Sequence, residues 1–269
     1  MNELYGKTIA EMNWVELKEA ADRGARVLLP LGVIEEHGPH LPLSTDALVA
    51  RVECMRIRAE FERRGLPCVV APSFHWGICQ ANRGFIGSFA PRRETVAAML
   101  GDILSSLAEF GFREALGVCA HGDIENALAV MDAFRAANER GDIRARFCFD
   151  AARLAPFGLT GGEDFLLVVP PSASAFGASE IPDVHAGDVE TAIVSRYHPE
   201  LIKTELAKSL PPVRLPDERA MDWLFGGHIH ELSPQGYLGD PANFENVDVE
   251  AYLDDFARRI AGDEGNAAD

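Results

Sequence analysis

Basic residues are scarce in this chain, where 25 Lys and Arg stand against 42 Asp and Glu and leave a formal net charge of −17. Such a surface repels nucleic-acid phosphates and anionic membranes, so neither partner is expected, and a solvated acidic face accounts for the excess. Cysteine is also sparse: Cys54, Cys68, Cys79, Cys119 and Cys148 are odd in number, widely spaced and without a CxxC pair. That argues against a disulfide framework or a thiolate zinc module and suits buried thiols in a reducing compartment. No apolar run approaches the ~18 residues of a membrane span, and Met1 to Thr8 lacks a basic-then-apolar pattern. A cytoplasmic, soluble protein is the expectation. Tryptophan occurs only at Trp14, Trp76 and Trp223.

What is present is enough for a core. With 269 residues and 47% hydrophobic content, the chain can fold as one α/β domain. Neither an internal repeat nor a linker marks a second one, so residues 1–262 are read as a single catalytic domain and 263–269 as a frayed tail. Strand-length apolar runs recur at 27–33, 67–72, 115–120, 145–149 and 165–169. Stretches of helical period lie at 45–64, 93–110, 124–139, 188–197 and 249–260. This alternation predicts a mainly parallel sheet with helices on both faces, a three-layer α/β/α sandwich. Pro30 cannot donate to a central ladder and is expected at an edge or a bulge. The Gly-, Pro- and Ser-rich segment 151–185 reads as a long loop over the sheet, of the kind that forms lids.

Three clusters can carry chemistry. The first, Glu35-Glu-His37-Gly-Pro-His40 through Asp46, directly follows the first apolar strand. Carboxylates and imidazoles there are costly to bury unless paired, and a divalent cation is an effective partner. Glu35 and His37, two apart, project to the same face of an extended segment. Ser44 or Thr45 can cap the next helix and place Asp46 in its first turn. The second cluster, His121-Gly122-Asp123, follows another strand, and sites in open α/β sheets form beyond the carboxyl ends of strands. The third is His185-Ala-Gly187-Asp188-Val-Glu190-Thr191, in which Asp188 and Glu190 can also serve simply as partners of a helix dipole.

These blocks resemble the creatininase (creatinine amidohydrolase) family. Glu35 to Asp46 matches its Glu-x-His-Gly-x-His-Leu-Pro-x-x-Thr-Asp signature, Ala120-His121-Gly122 its Gly-His turn, and His185, Gly187, Glu190 and Thr191 its His-x-Gly-x-x-Glu-Thr. A weaker echo runs through Trp76-Gly77 and Phe85 to Ser88. The resemblance implies a creatininase-like α/β/α fold, a homo-oligomer such as a hexamer, and two divalent metal ions. Carried over by position, Glu35 and His121 hold one ion, His37 and Asp123 the other, and Asp46 bridges them. Two imidazoles and three carboxylates suit Zn, Mn or Fe. His185 is then the proton donor to the leaving nitrogen, Glu190 its orienting partner, and Asn82 and Trp76 the substrate contacts.

The match has gaps. Creatininase itself supplies Glu at the position of Asp123. Its substrate-packing tryptophans have no counterpart between Ala151 and His185, and Asn82 stands where many relatives have His. The expectation is therefore a dinuclear metal-dependent hydrolase of a C–N bond in a small cyclic amide or formamide other than creatinine. The alternatives are C–C opening of a cyclic polyol ketone (a keto-inositol) and a non-catalytic metal-binding relative. Of the remaining histidines, His40 is assigned a structural hydrogen bond. His75, His198, His228 and His230 are assigned to loops, His228 and His230 being able alternatively to reach a neighbouring subunit's site.

Overall fold

The computed structural model describes residues 5–174, 176–177, 179–219 and 229–264. Its centre is a sheet of β1 (Arg26–Leu31), β2 (Cys68–Val70), β3 (Glu114–Cys119), β4 (Arg144–Asp150) and β5 (Leu166–Val169) in the order β2-β1-β3-β4-β5. Every pairing among them is parallel. The α-helices are α1 (Trp14–Asp22), α2 (Thr45–Arg63), α3 (Arg93–Glu109), α4 (Ile124–Arg140), α5 (Asp188–Tyr197), α6 (Thr204–Ser209), α7 (Ile229–Leu232) and α8 (Val249–Glu264). Among the described residues no helix is long and apolar enough to cross a membrane.

Period-2 alternation separates the layers. Val27, Leu29 and Leu31 of β1 join Ala115 and Phe147 in a core roofed by Leu100 and Leu104 of α3 and Val130 and Phe134 of α4. Leu28, with Val70, Leu116 and Leu167, faces Ile57 and Phe61 of α2 and Ile260 of α8. Both faces are covered, which is why the strands read as continuous apolar runs.

Pro30 lies at a bulge, one of the two expected places. It is in an interior strand, opposite Val118 of β3. Its carbonyl accepts from Phe74 N on the β2 side, and β1 pairs with β2 only as far as Leu28. Pairing resumes at Leu31 with Phe74, one residue out of register, so the missing N–H falls where the β2-side ladder is interrupted.

The segment after β4 is more ordered than a long loop, with 3₁₀ turns at Ala151–Arg153 and Ala155–Phe157 before β5. Asp263 and Glu264 continue α8, so the expected frayed tail is shortened to residues 265–269, which lie outside the described residues. The sheet order matters for function. β1 sends its chain to β2 on one side while its other neighbour is β3, and the crevice where the direction of winding reverses, beyond the strands' carboxyl ends, is where ligands bind in open sheets.

Candidate metal centre

The first and second clusters meet at that crevice. Glu35 and His37 lie on the connection leaving β1, His121 just beyond β3, and Asp46 in the first turn of α2. Gly32 makes the approach of α2 possible, because a Cβ there would stand 2.6 Å from Ala47 N. Ser44 occupies the N-cap position without a side-chain cap bond; Thr45 Oγ1 instead donates to Pro42 O at 2.7 Å. The Glu35 N–H donates to Leu43 O at 3.0 Å and closes the intervening loop.

Each imidazole is oriented from behind by a backbone carbonyl. His37 Nδ1 lies 3.3 Å from Glu35 O, and His121 Nε2 lies 3.0 Å from Ile78 O. These contacts assign the N–H to those atoms and turn the opposite lone pairs inward. The His37 lone pair faces Asp46 Oδ1 at 3.1 Å, and His121 Nδ1 faces Asp46 Oδ2 at 3.1 Å and Glu35 Oε1 at 3.0 Å. Glu190 Oε2 stands 3.9 Å from His37 Nε2. Asp46 thus offers one oxygen to each of two groups, Glu35 with His121 and His37 with Glu190.

Neither Glu35 Oε1 nor Asp46 Oδ2 has a hydrogen-bond partner, although both residues are only 1% exposed. Buried carboxylate oxygens facing nitrogen lone pairs repel unless something positive lies between them. Burial opposes a charge on His37, yet Asp46 and then Glu35 outweigh it and carry the ring up to about 9, so without a cation the lone pair at Nε2 takes up a proton in its place. At Asp46 burial is likewise outweighed, by His37 and His121, which hold the carboxyl well below its usual range. The residues present fit divalent cations: hard oxygens and borderline nitrogens converge without other partners.

The third cluster completes the wall. Asp183 accepts from Gly187 N at 3.0 Å, Val189 N at 2.7 Å and Glu190 N at 3.1 Å, so it caps α5 where Asp188 and Glu190 were candidates. Glu190 reaches back to Ala186 N at 2.6 Å while facing His37. Ala186 has φ +52°, a left-handed backbone rare for a residue with a Cβ. His185 lies against the His37 ring, with centroids 4.4 Å apart. Its Nε2 is 2.9 Å from Glu36 O and 3.2 Å from Glu36 Oε1, and its Nδ1 is 3.8 Å from Glu35 Oε1. Burial and the neighbouring His37 disfavour the imidazolium of His185, but the Glu36 hydrogen bond and the charges of Glu35 and Glu36 outweigh them and raise its pKa.

Two expected site residues are employed elsewhere. Asp123 does not face the cluster. Its Oδ1 caps α4 by accepting from Glu125 N at 2.8 Å and Asn126 N at 3.2 Å, and its Oδ2 accepts from Gln80 N at 2.7 Å and Ala81 N at 3.0 Å. An aspartate at an N-cap is too short to do this and also reach the ligands of the preceding loop, and Glu190 occupies the place assigned to it beside His37. Trp76 packs edge-on against Phe89 and lines an apolar cavity of about 560 Å³ with Leu29, Phe74, Met99 and Phe110. None of the cluster's residues lines that cavity.

Asn82 does reach the site, fully buried, with Nδ2 3.1 Å from Glu35 Oε2 and 3.0 Å from His185 Nε2. His40 makes the structural bond expected of it, Nε2 lying 2.9 Å from Thr191 Oγ1. His230 is exposed in α7 and rests on the backbone of Gly84; His228 and Trp223 lie outside the described residues. The sequence reading missed Glu36, Cys79 and Gly236. Glu36 was in view within the acidic run. Gly236 had no signal: it has φ +74°, and a Cβ there would overlap the Glu36 carboxylate.

Comparisons with known proteins identify the family and the fold. A model of the creatininase family, described as creatinine amidohydrolase, matches residues 10–262. The mycofactocin precursor peptide peptidase of Mycobacterium tuberculosis (strain CDC 1551 / Oshkosh) is 26% identical over 277 residues, covering 97% of this chain and 96% of that protein. Creatinine amidohydrolase of Pseudomonas putida is 24% identical over 214 residues, covering 77% and 78%. A solved manganese creatininase superposes with a TM-score of 0.69 at 21% identity, over 96% of each chain, and shares the fold.

Proposed function

Because the chain belongs to the creatininase family of metal-dependent hydrolases, we propose that it cleaves a C–N amide bond at a two-metal site held by Glu35, His37, Asp46, His121 and Glu190. The observation that carries this reading is the Asp46 carboxylate, whose two oxygens face two different imidazoles at 3.1 Å. A pair of divalent ions in such a cradle supplies an activated water and polarises the carbonyl under attack.

The chain's own groups do the rest. Glu36 and the Glu36 carbonyl orient His185 through Nε2, leaving Nδ1 turned toward Glu35. Its pKa is raised, and His185 is the group placed to deliver a proton to the departing nitrogen. Asn82 Nδ2 donates to Glu35 Oε2, and its Oδ1 has no hydrogen-bond partner, so it is the acceptor available to substrate. C–N rather than C–C cleavage is favoured because the peptide peptidase and the creatinine amidohydrolase among its relatives both act on C–N bonds. Creatinine itself is disfavoured, since Trp76 faces another cavity and no tryptophan occurs between Ala151 and His185.

The test pairs metal analysis with a substrate panel. Purified protein is expected to hold two ions per chain and to hydrolyse a member of a set of cyclic amides, formamides and short peptides. Asp46→Ala is expected to lose both ions and all turnover. Turnover of a keto-inositol with inactivity on every amide, or full metal content in Asp46→Ala, refutes the reading.

A further inference from the structure

The two metal positions are not equivalent, because a thiol lies beside only one of them. Cys79 is fully buried and its Sγ contacts Glu35 Oε2. Donor atoms of Glu35, Cys79 and His121 all lie within 4.8 Å of one another. The other group, His37, Asp46 and Glu190, offers only nitrogen and oxygen. The placement of Cys79 is held on both sides. Its N–H donates to Phe89 O at 3.0 Å, and the next two amides, Gln80 and Ala81, are tied to Asp123. Capping by Asp123 therefore fixes the loop that presents the thiol. Cys119, the nearest cysteine in sequence to His121, turns away from the cluster: its Sγ donates to His121 O at 3.6 Å and accepts from Asn126 Nδ2 at 3.6 Å.

We propose that Cys79 is a thiolate ligand of the ion held by Glu35, Asp46 and His121, and that it raises the preference of this position for a soft ion. The inference rests on the reading of the cluster as a two-metal site. A cysteine, a histidine and two carboxylates form a four-donor set suited to tetrahedral zinc, and thiolate favours zinc over manganese. On binding, the S–H bond breaks, a metal–sulfur bond forms with both electrons from sulfur, and the proton passes to solvent. The unpartnered Glu35 Oε1, aimed into the same space, is the second mark of a missing cation there.

Cobalt(II) tests this with a spectroscopic readout independent of turnover. Metal-free full-length protein titrated with Co²⁺ is expected to show visible ligand-field bands and an intense near-ultraviolet sulfur-to-cobalt charge-transfer band. Cys79→Ser should abolish the charge-transfer band and lower the preference for Zn²⁺ over Mn²⁺ by roughly 10-fold or more, while Cys119→Ser retains both. Ligand-field bands without charge transfer in the wild type would overturn the thiolate ligand and leave the two-metal reading standing. No cobalt binding at all would overturn both. The wild-type spectrum decides the matter even if Cys79→Ser folds poorly.

Discussion

Glu53 lies on the face of α2 that packs against α8, is 4% exposed, and carries an acid far from solvent. Its Oε1 accepts from Tyr252 Oη at 3.0 Å, while Oε2 has no partner. Arg259, the nearby cation, is held by Asp255 at 2.7 Å and Pro170 O at 2.9 Å. Burial is the largest influence and disfavours the carboxylate; the Tyr252 bond and Arg259 offset it only in part, so the pKa rises from 4.5 to about 7. A raised carboxyl pKa means that the folded state binds more protons than the unfolded state between those values. Stability is therefore fully present below pH 4.5 and lost as pH climbs through 7. At about 1.4 kcal/mol per pH unit, this group removes on the order of 2 to 3 kcal/mol between pH 5 and pH 8. Glu53→Gln keeps a carbonyl oxygen for Tyr252 and has no charge to bury. Urea denaturation of both proteins, in metal-free form at a series of pH values, should show the stability difference moving by on the order of 2 to 3 kcal/mol in favour of the variant from pH 5 to pH 8. Any constant cost of the new amide cancels in that comparison. A difference that does not change with pH refutes the buried-acid argument.

Other outcomes follow from the site. Glu190→Gln should lower metal content from two ions per chain to one, whereas Asp123→Asn should retain two ions by metal analysis and lose about 1 kcal/mol of folding stability as a weakened cap. Equal metal loss in both would restore Asp123 to the ligand set. His185→Ala, with its metals retained, is expected to lose roughly 10²- to 10⁴-fold in kcat, with kcat/KM following. A normal rate would show that the proton comes from elsewhere. Gly236→Ala combines a strained φ with an overlap on the Glu36 carboxylate. Thermal melting should show a loss of more than about 1 kcal/mol, and kcat should fall with it as Glu36 and His185 are displaced.

Much of the fold was legible because its signals are local. The five strands and the helices from α2 to α5 fall within a few residues of their apolar periods, since a parallel sheet covered on both faces demands continuous hydrophobic strands. α1 and α6 were not seen. α1 is held by an Asn13–Glu16 capping box and buries only Ala20 and Ala21, which leaves little pattern to read. At Pro30 sequence shows that a donor is missing but not which neighbour it would have addressed.

Glu35, His37, Asp46 and His121 fell in candidate clusters by residue type and order, because buried carboxylates and imidazoles at strand ends need a partner wherever they occur, and the family resemblance supplied their pairing. Sequence by itself thus determined the layers, the strands and the chemistry of the donors. Only the tertiary structure decided how those donors are shared: Asp46 between two imidazoles, Glu190 rather than Asp123 beside His37, and Cys79 against Glu35. The reason is distance. Asp123 adjoins His121 in sequence, but its carboxylate is consumed by four backbone amides, whereas Glu190, more than 140 residues beyond Asp46, is returned to it by a helix start that Asp183 caps.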